Sequence, residues 1–147
     1  MAKKIAWKQN QPIVKFLKRW VPICLPMITT VGGYANRSTE TGSFSFHSEG
    51  RAADIYLNAN NPEQLPVGNA LFDKFIEFAP DLGVDHVIWN RRVWSVDEGG
   101  PNAWPAGRNP HTNHVHVAFT REGSQQQPGF LIAILDGIHI QLYGDMA

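Results

Sequence analysis

The chain has 147 residues, of which 43% are hydrophobic, and this length and composition indicate a single globular domain over residues 1–147. Thirteen basic residues balance thirteen acidic ones, so the net charge gives no reason to expect nucleic acid or an anionic membrane as a partner. The single cysteine, Cys24, excludes an internal disulfide framework and a multi-cysteine zinc module. No apolar run approaches the ~18–20 residues of a membrane span.

The N-terminal part of the chain predicts one helix and one strand. A single hydrophobic stripe at helical spacing predicts a helix over 12–20, and Pro22 should end it. A β-rich run followed by two glycines predicts a strand over 27–31. The apolar stretch 20–28 follows basic residues as in a signal peptide, but two prolines interrupt it, so we expect no cleaved leader.

The middle of the chain predicts further short elements. Residues 53–57 predict a strand, and residues 67–79 predict a helix that Pro80 should stop. Residues 86–94 predict a tight β-hairpin. Short helices mixed with short strands indicate an α+β domain.

The C-terminal half predicts a long loop followed by a strand. Residues 97–113 are rich in glycine, proline and asparagine, and a loop of this length is more often functional than idle. Residues 114–120 are predicted to form a strand, and residues 124–128 are predicted to form a surface linker. Residues 129–135 are apolar enough for either a buried helix or a buried strand, and the sequence does not decide between them.

Histidines cluster directly behind the long loop. His114 and His116 share one face of the predicted strand, whereas Val115 and Val117 lie on the opposite, core face. Two imidazoles on one face can hold a metal, or supply one ligand and one acid or base. The alternative is a pair of ordinary exposed or hydrogen-bonded histidines.

A second cluster supplies a carboxylate. His47 precedes Asp54 by seven residues, and Gly50 between them permits a bend that lets the two side chains converge. With His116 the set becomes two imidazoles and one carboxylate, the three-ligand pattern of catalytic zinc. Cys24 is more typical of a small buried hydrophobe than of a fourth ligand.

These two clusters carry a resemblance to a known family. The run from Ser45 to Asp54 matches S-x-H-x-x-G-x-A-x-D, and His114-Val115-His116 matches a later H-x-H. The chain thus resembles the zinc D-alanyl-D-alanine carboxypeptidase and L-alanyl-D-glutamate endopeptidase family of bacteria and phages. The resemblance implies a hedgehog/DD-peptidase-like α+β fold, in which helices flank a small antiparallel sheet that carries the zinc site.

The resemblance also implies roles for individual residues. His47, Asp54 and His116 would hold one Zn²⁺ per chain. His114 would lie beside the metal and take part in catalysis. Arg37, before the first motif, would position substrate or stabilise an oxyanion.

The general base is where this chain departs from the pattern. Some members of the family place a carboxylate three residues before the last zinc ligand, but Asn113 stands there and an amide is not a base near neutral pH. His114 is the first choice for the base. Glu49, Asp97 and Glu98 are the alternatives.

The remaining aromatic and histidine residues receive mostly structural interpretations. Trp89 is expected in the core, and Trp104, in the long loop, could equally line a cleft. His86, His111 and His139 are interpreted as structural, because the sequence gives them no partner.

The function that follows from the resemblance is hydrolysis of amide bonds in peptidoglycan stem peptides, as in a phage lysin or an antibacterial effector. It leaves the cleaved bond open, as well as the choice between endopeptidase and carboxypeptidase. Two alternatives are a non-enzymatic zinc-containing binding domain of the same fold and a metal-dependent nuclease. The zero net charge argues against the nuclease.

The expected site of action lies outside the cytosol, in the periplasm or cell wall. Because no convincing signal peptide is present, we expect synthesis in the cytosol and delivery by a partner such as a holin or a secretion system. An immunity protein is a further expected partner, whereas nucleic acid is not.

Overall fold

One antiparallel sheet organises the molecule. The computed structural model describes residues 8–35 and 46–144. In chain order the elements of these ranges are α1 Pro12–Cys24, β1 Val31–Gly32, a 3-10 turn Phe46–Glu49, β2 Ala52–Tyr56, α2 Leu65–Glu77, α3 Ala79–Leu82, β3 Val84–Trp89, β4 Arg92–Ser95, β5 Gly99–Ala103, β6 His114–Phe119, α4 Arg121–Ser124 and α5 Phe130–Tyr143. The six strands lie in the order β1-β2-β6-β3-β4-β5. The predicted α+β class is confirmed.

The histidine-bearing strand β6 lies inside the sheet, between β2 and β3. Residues that face each other across antiparallel strands project from the same side of the sheet. Asp54 on β2 and Ile88 on β3 both pair with His116, so all three project from one face. Sheet pairing alone therefore brings a carboxylate beside an imidazole that is 62 residues away in sequence.

The opposite face of the sheet carries the hydrophobic core. Val115 and Val117 are fully buried there, as predicted from the alternation in β6. Apolar side chains of the helices pack on the same face. Members from α1, α2 and α5 with no exposed surface are Ile13, Val14, Leu17, Val21, Val67, Phe72, Leu135 and Ile138. Because the helices cover this face, the face that carries the histidines is left for a site.

Most of the predicted elements are confirmed with small changes at their ends. The hairpin turns at Asn90 and Arg91, which both have positive φ, as a two-residue turn of this hand requires. Of the undecided segment 129–135, residues 130–135 belong to helix α5 and Gly129 is its N-cap. Among the described residues, no helix is long and apolar enough to cross a membrane.

Four sequence predictions are wrong in detail. Pro80 does not stop the helix predicted over 67–79, because α2 already ends at Glu77 and Pro80 lies in the first turn of α3. Pro22 does not end α1, which continues to Cys24, because a proline removes only one donor and the buried Val21 and Cys24 hold the last turn on the core. The strand expected over 27–31 is reduced to Val31–Gly32, which pairs with β2. The loop expected over 97–113 contains the edge strand β5, whose mostly exposed residues leave no hydrophobic alternation to detect.

Trp89 lies in the core, as expected, and it constrains the helix above it. Its side chain is fully buried, and its indole Nε1 donates to Asn69 Oδ1 at 3.0 Å. A Cβ at Gly68 on α2 would lie only 2.1 Å from the Trp89 ring. Glycine at position 68 therefore sets the distance between α2 and the sheet.

We predict that Gly68→Ala destabilises the fold by about 1–3 kcal/mol, because the methyl group overpacks the Trp89 contact. Gly137→Ala is the matched control in α5, where an added Cβ meets no atom within 4 Å. It should be neutral or stabilise by up to about 1 kcal/mol through helix propensity. Urea unfolding of both variants tests this prediction, and an equal midpoint for the two would contradict it.

Candidate metal centre

His47 reaches the site from a single turn of 3-10 helix. Gly50 follows this turn with φ +69°, and its N–H donates to the carbonyl of His47 at 3.0 Å. A Cβ at this position would lie 1.8 Å from the carbonyl oxygen of Gln9. Only glycine therefore fits between His47 and β2, and the bend predicted from the sequence is confirmed.

Three side chains converge above the sheet. His47 Nε2 lies 3.1 Å from Asp54 Oδ1, His116 Nδ1 lies 3.1 Å from the same oxygen, and the two nitrogens are 3.2 Å apart. In a tetrahedral zinc site with bonds of about 2.0–2.1 Å, neighbouring ligand atoms lie about 3.3 Å apart. The three atoms form a nearly equilateral triangle of that size, so this cluster could hold a metal ion.

The backbone directly after β1 sets the proton on the His47 ring. His47 Nδ1 lies 2.9 Å from the carbonyl oxygen of Gly33, which can only accept a hydrogen bond. The ring proton of neutral His47 is therefore on Nδ1, and Nε2 presents its lone pair to Asp54. A lone pair facing a carboxylate is repulsive unless a cation lies between them, so this geometry favours a metal.

His86 and Asp85 set the proton on His116 in the same way. His86 Nδ1 donates to Asp85 Oδ1 at 2.7 Å, and this bond lowers the pKa of Asp85. His86 Nε2 then accepts from His116 Nε2, 3.1 Å away. The proton of His116 is thereby held on Nε2, and Nδ1 is left to bind a metal.

Burial keeps the site in the protonation state that a metal needs. Burial lowers the pKa of His116 to about 3, so its ring is neutral at neutral pH. Burial alone would raise the pKa of Asp54, but the rings of His116 and His47 beside its oxygen hold this pKa well below its usual range. The donor set of two imidazoles and one carboxylate suits Zn²⁺ or Fe²⁺.

His114 lies beside the triangle and is held by Asn113. His114 Nε2 is 3.5 Å from Asp54 Oδ1, and its Nδ1 is 2.6 Å from Asn113 Oδ1. With the amide oxygen as acceptor, the ring proton is on Nδ1 and the basic nitrogen Nε2 faces the site. Asn113 thus orients the histidine next to it, although it supplies no base itself.

One side of the cluster is lined by aromatic rings. His111 stacks edge-on against His114, with ring centroids 4.8 Å apart, and Trp104 packs edge-on against His111 at 5.5 Å. The ring centroids of Tyr56 and His114 are 5.6 Å apart. Burial lowers the pKa of His111 to about 4, so this ring is also neutral at neutral pH. These rings form a wall suited to an apolar or amide-containing ligand.

The structure argues against each of the three alternative bases. Glu49 is bound between Arg51, at 2.7 Å, and Arg121, so its carboxylate is already neutralised. Asp97 and Glu98 lie exposed in the turn between β4 and β5. His114 therefore stays the first choice for a base.

Cys24, weighed above as a fourth ligand, does not join the cluster. Cys24 ends helix α1 in the core layer, where burial raises the pKa of its thiol to about 12, so it is not a ligand. Arg37 lies outside the described residues. His139, interpreted as structural, lies on α5, where its ring contacts Tyr143.

Sequence reasoning missed His86 and His111, which it interpreted as structural. Val87 and Trp89 face the core, so alternation within the hairpin already puts His86 on the opposite face. What the sequence did not reveal is that β3 is the neighbour of β6. His111 was missed because its positive φ of 53° turns the loop back over the site, and no local pattern predicts this.

Comparison with known families gives one match that covers most of the chain. Residues 7–116 match the family model described as VldE, C-terminal domain. The chain belongs to the VldE C-terminal domain family. The matched region contains the His47–Asp54–His116 triangle and ends at its last member. No solved structure gives a significant match to this VldE-type domain.

One curated protein shares a shorter stretch with the chain. Over 60 residues this chain is 32% identical to the arginine biosynthesis bifunctional protein ArgJ of Prochlorococcus marinus (strain NATL2A). The stretch covers 41% of this chain and 14% of the ArgJ protein. Neither name refers to a metal or a peptidase, so the function proposed below depends on the site geometry and the motif resemblance.

We predict that the chain binds about one zinc ion and that His116→Ala weakens this binding by more than the ~10–100-fold typical of outer-sphere changes. The reason is the loss of one of three ligand atoms. His139→Ala, a histidine removed from α5, should bind zinc like the wild type. Titration calorimetry on chelator-treated protein measures both. Equal zinc affinity in the two variants would contradict the assignment.

We also predict that His86→Ala weakens zinc binding by ~10–100-fold, because His116 loses the acceptor that fixes its ring. Circular dichroism of the zinc-free variant checks that the fold is retained. Unchanged zinc affinity in a folded His86→Ala chain would show that this imidazole does not prepare His116 for a metal.

Proposed function

We propose that this chain is a zinc peptidase that hydrolyses amide bonds in peptidoglycan stem peptides and has a hedgehog/DD-peptidase-like fold. The observation that supports it most is the triangle of His47 Nε2, Asp54 Oδ1 and His116 Nδ1, with sides of 3.1, 3.1 and 3.2 Å. Three protein ligands are typical of catalytic zinc, whereas structural zinc takes four.

The donor set fits zinc chemistry. Zinc bound by such residues acidifies a water ligand to a pKa near 7 and polarises a carbonyl oxygen. The chain must then supply a group that takes a proton from the attacking water and returns one to the leaving amine.

His114 is the residue we assign to proton transfer. Its Nδ1 is held by Asn113 Oδ1 at 2.6 Å, and its Nε2 faces Asp54 at 3.5 Å, beside the ligand triangle. This ring can accept a proton at Nε2 and donate it again without moving. Some members of the peptidase family that the motifs resemble have a carboxylate at the position of Asn113. In this chain an amide stands there and fixes a histidine base.

The substrate class depends on the motif resemblance. The spacing of His47, Gly50 and Asp54, followed by the H-x-H of β6, is the pattern of enzymes that cut stem peptides. The aromatic wall of Tyr56 and Trp104 suits an extended peptide. We accordingly propose that the chain acts in the periplasm or wall and is brought there by a holin or a secretion system.

We predict that the zinc-loaded chain releases stem-peptide fragments from purified sacculi and that a chelator abolishes this release. His114→Ala should keep the metal but lose about 10²–10⁴ in rate, the usual effect of removing an acid–base group. His139→Ala should keep the full rate. Mass spectrometry of the muropeptides identifies the bond that is cut, and calorimetry confirms the metal content.

Two results would contradict this function. Intact stem peptides after incubation with the zinc-loaded chain would exclude the peptidase. Cleavage of nucleic acid in a gel run in parallel, with no change in the sacculi, would favour a nuclease instead. A full rate in the His114→Ala variant would leave the peptidase in place but remove His114 from proton transfer.

A further inference from the structure

The charges of this neutral chain are divided very unevenly along its length. Seven of the thirteen basic residues fall within residues 1–39, and all thirteen acidic residues come after them. In helix α1 the charged residues are Lys15, Lys18 and Arg19, with no acidic residue. Local positive charge attracts anions even where the net charge is zero.

A groove lies along the outer side of helix α1. Its volume is about 390 Å³. Its lining residues are Pro12, Lys15, Phe16, Arg19, Trp20 and Gln127. We call it the α1 groove. Helix α1 packs through Ile13 and Leu17 on the core side of the sheet, whereas the ligand triangle is on the other side, so the α1 groove is a separate site.

The α1 groove combines two cations with two aromatic rings. Lys15 and Arg19 are one helical turn apart, and within residues 8–35 and 46–144 neither forms an ion pair. Phe16 and Trp20 are likewise one turn apart, with ring centroids 6.2 Å from each other, and the Arg19 guanidinium lies 5.4 Å from the Trp20 ring. Like charges at this spacing repel, and an anion between them relieves the repulsion.

The chemistry of the α1 groove selects a class of ligand. The two cations bind carboxylates, and the ring faces pack on the apolar parts of the same molecule. A polymer that repeats carboxylates next to small apolar side chains satisfies both. Stem peptides of the wall have this composition, since each carries free carboxylates and alanine methyl groups.

We propose that the α1 groove binds the carboxylates of uncut stem peptides and holds the enzyme on the wall while the metal site cuts another peptide. This inference rests on the proposed function, because it takes its ligand from the same polymer. Two weak contacts on one polymer raise the residence time far beyond that of either alone.

The test is binding of the zinc-loaded His114→Ala chain to purified sacculi, in which turnover does not interfere. The double change Lys15→Glu and Arg19→Glu should lower the affinity at least about tenfold at low salt, because both cations are reversed. The matched control is Lys74→Glu with Arg91→Glu, which makes the same change in net charge on α2 and at the hairpin turn. It should bind like the parent.

A second arm identifies the ligand. The parent His114→Ala chain should no longer bind sacculi whose carboxylates are converted to neutral amides. It should also fail to bind unmodified sacculi in high salt. Equal binding by the α1 double variant and the control would overturn the proposal, and so would retention on amidated sacculi. Preferential binding of anionic vesicles or DNA over sacculi would also overturn it.

This test is independent of the peptidase assay. Loss of sacculus binding on charge reversal would stand even if the wild-type chain released no peptide. Conversely, the wild-type enzyme could be active while its α1 double variant binds and cuts normally. That result would support the proposed function and refute wall binding at the α1 groove. If circular dichroism shows that the Lys15→Glu, Arg19→Glu variant is unfolded, the milder pair Lys15→Gln and Arg19→Gln is used in its place.

Discussion

A nearly buried carboxylate is the constraint on which the site depends. Asp54 is 6% exposed and projects from a strand inside the sheet, and two imidazole nitrogens lie 3.1 Å from one of its oxygens. An ionised carboxylate in such a place is costly unless it is paired or binds a metal. Each imidazole already uses its proton on another acceptor, Gly33 for His47 and His86 for His116. A cation at the centre of the triangle resolves this conflict.

The fold serves that constraint by giving the two faces of one sheet different chemistry. Strand β6 alternates strictly, with valines toward the helices and histidines toward the site, and its position between β2 and β3 supplies a partner on each side. β2 contributes the carboxylate, and β3 contributes His86, which holds the His116 ring. The ligand atoms of Asp54 and His116 are therefore set by strand register. His47 comes from the 3-10 turn, and His111 and Trp104 come from the loop between β5 and β6.

Much of this arrangement can be predicted from the sequence, for reasons that are local. The alternation of His114 to Val117 fixes which side chains share a face, and Gly50 between His47 and Asp54 permits a bend. Features that depend on strand order cannot be predicted in this way, since no local pattern reveals that β3 lies next to β6. Strand β5 was not predicted because residues of an edge strand need no apolar side. The prediction that Pro22 ends α1 was wrong because tertiary packing holds the helix beyond this proline.

Anomalous diffraction at the zinc absorption edge, from crystals saturated with zinc, tests the central claim most directly. The account predicts one strong peak per chain at about 2.0–2.1 Å from His47 Nε2, Asp54 Oδ1 and His116 Nδ1, with Nε2 of His116 still bonded to His86. A peak elsewhere in the molecule would contradict it. So would a zinc-saturated crystal in which these three atoms are hydrogen-bonded directly to one another with no ion between them.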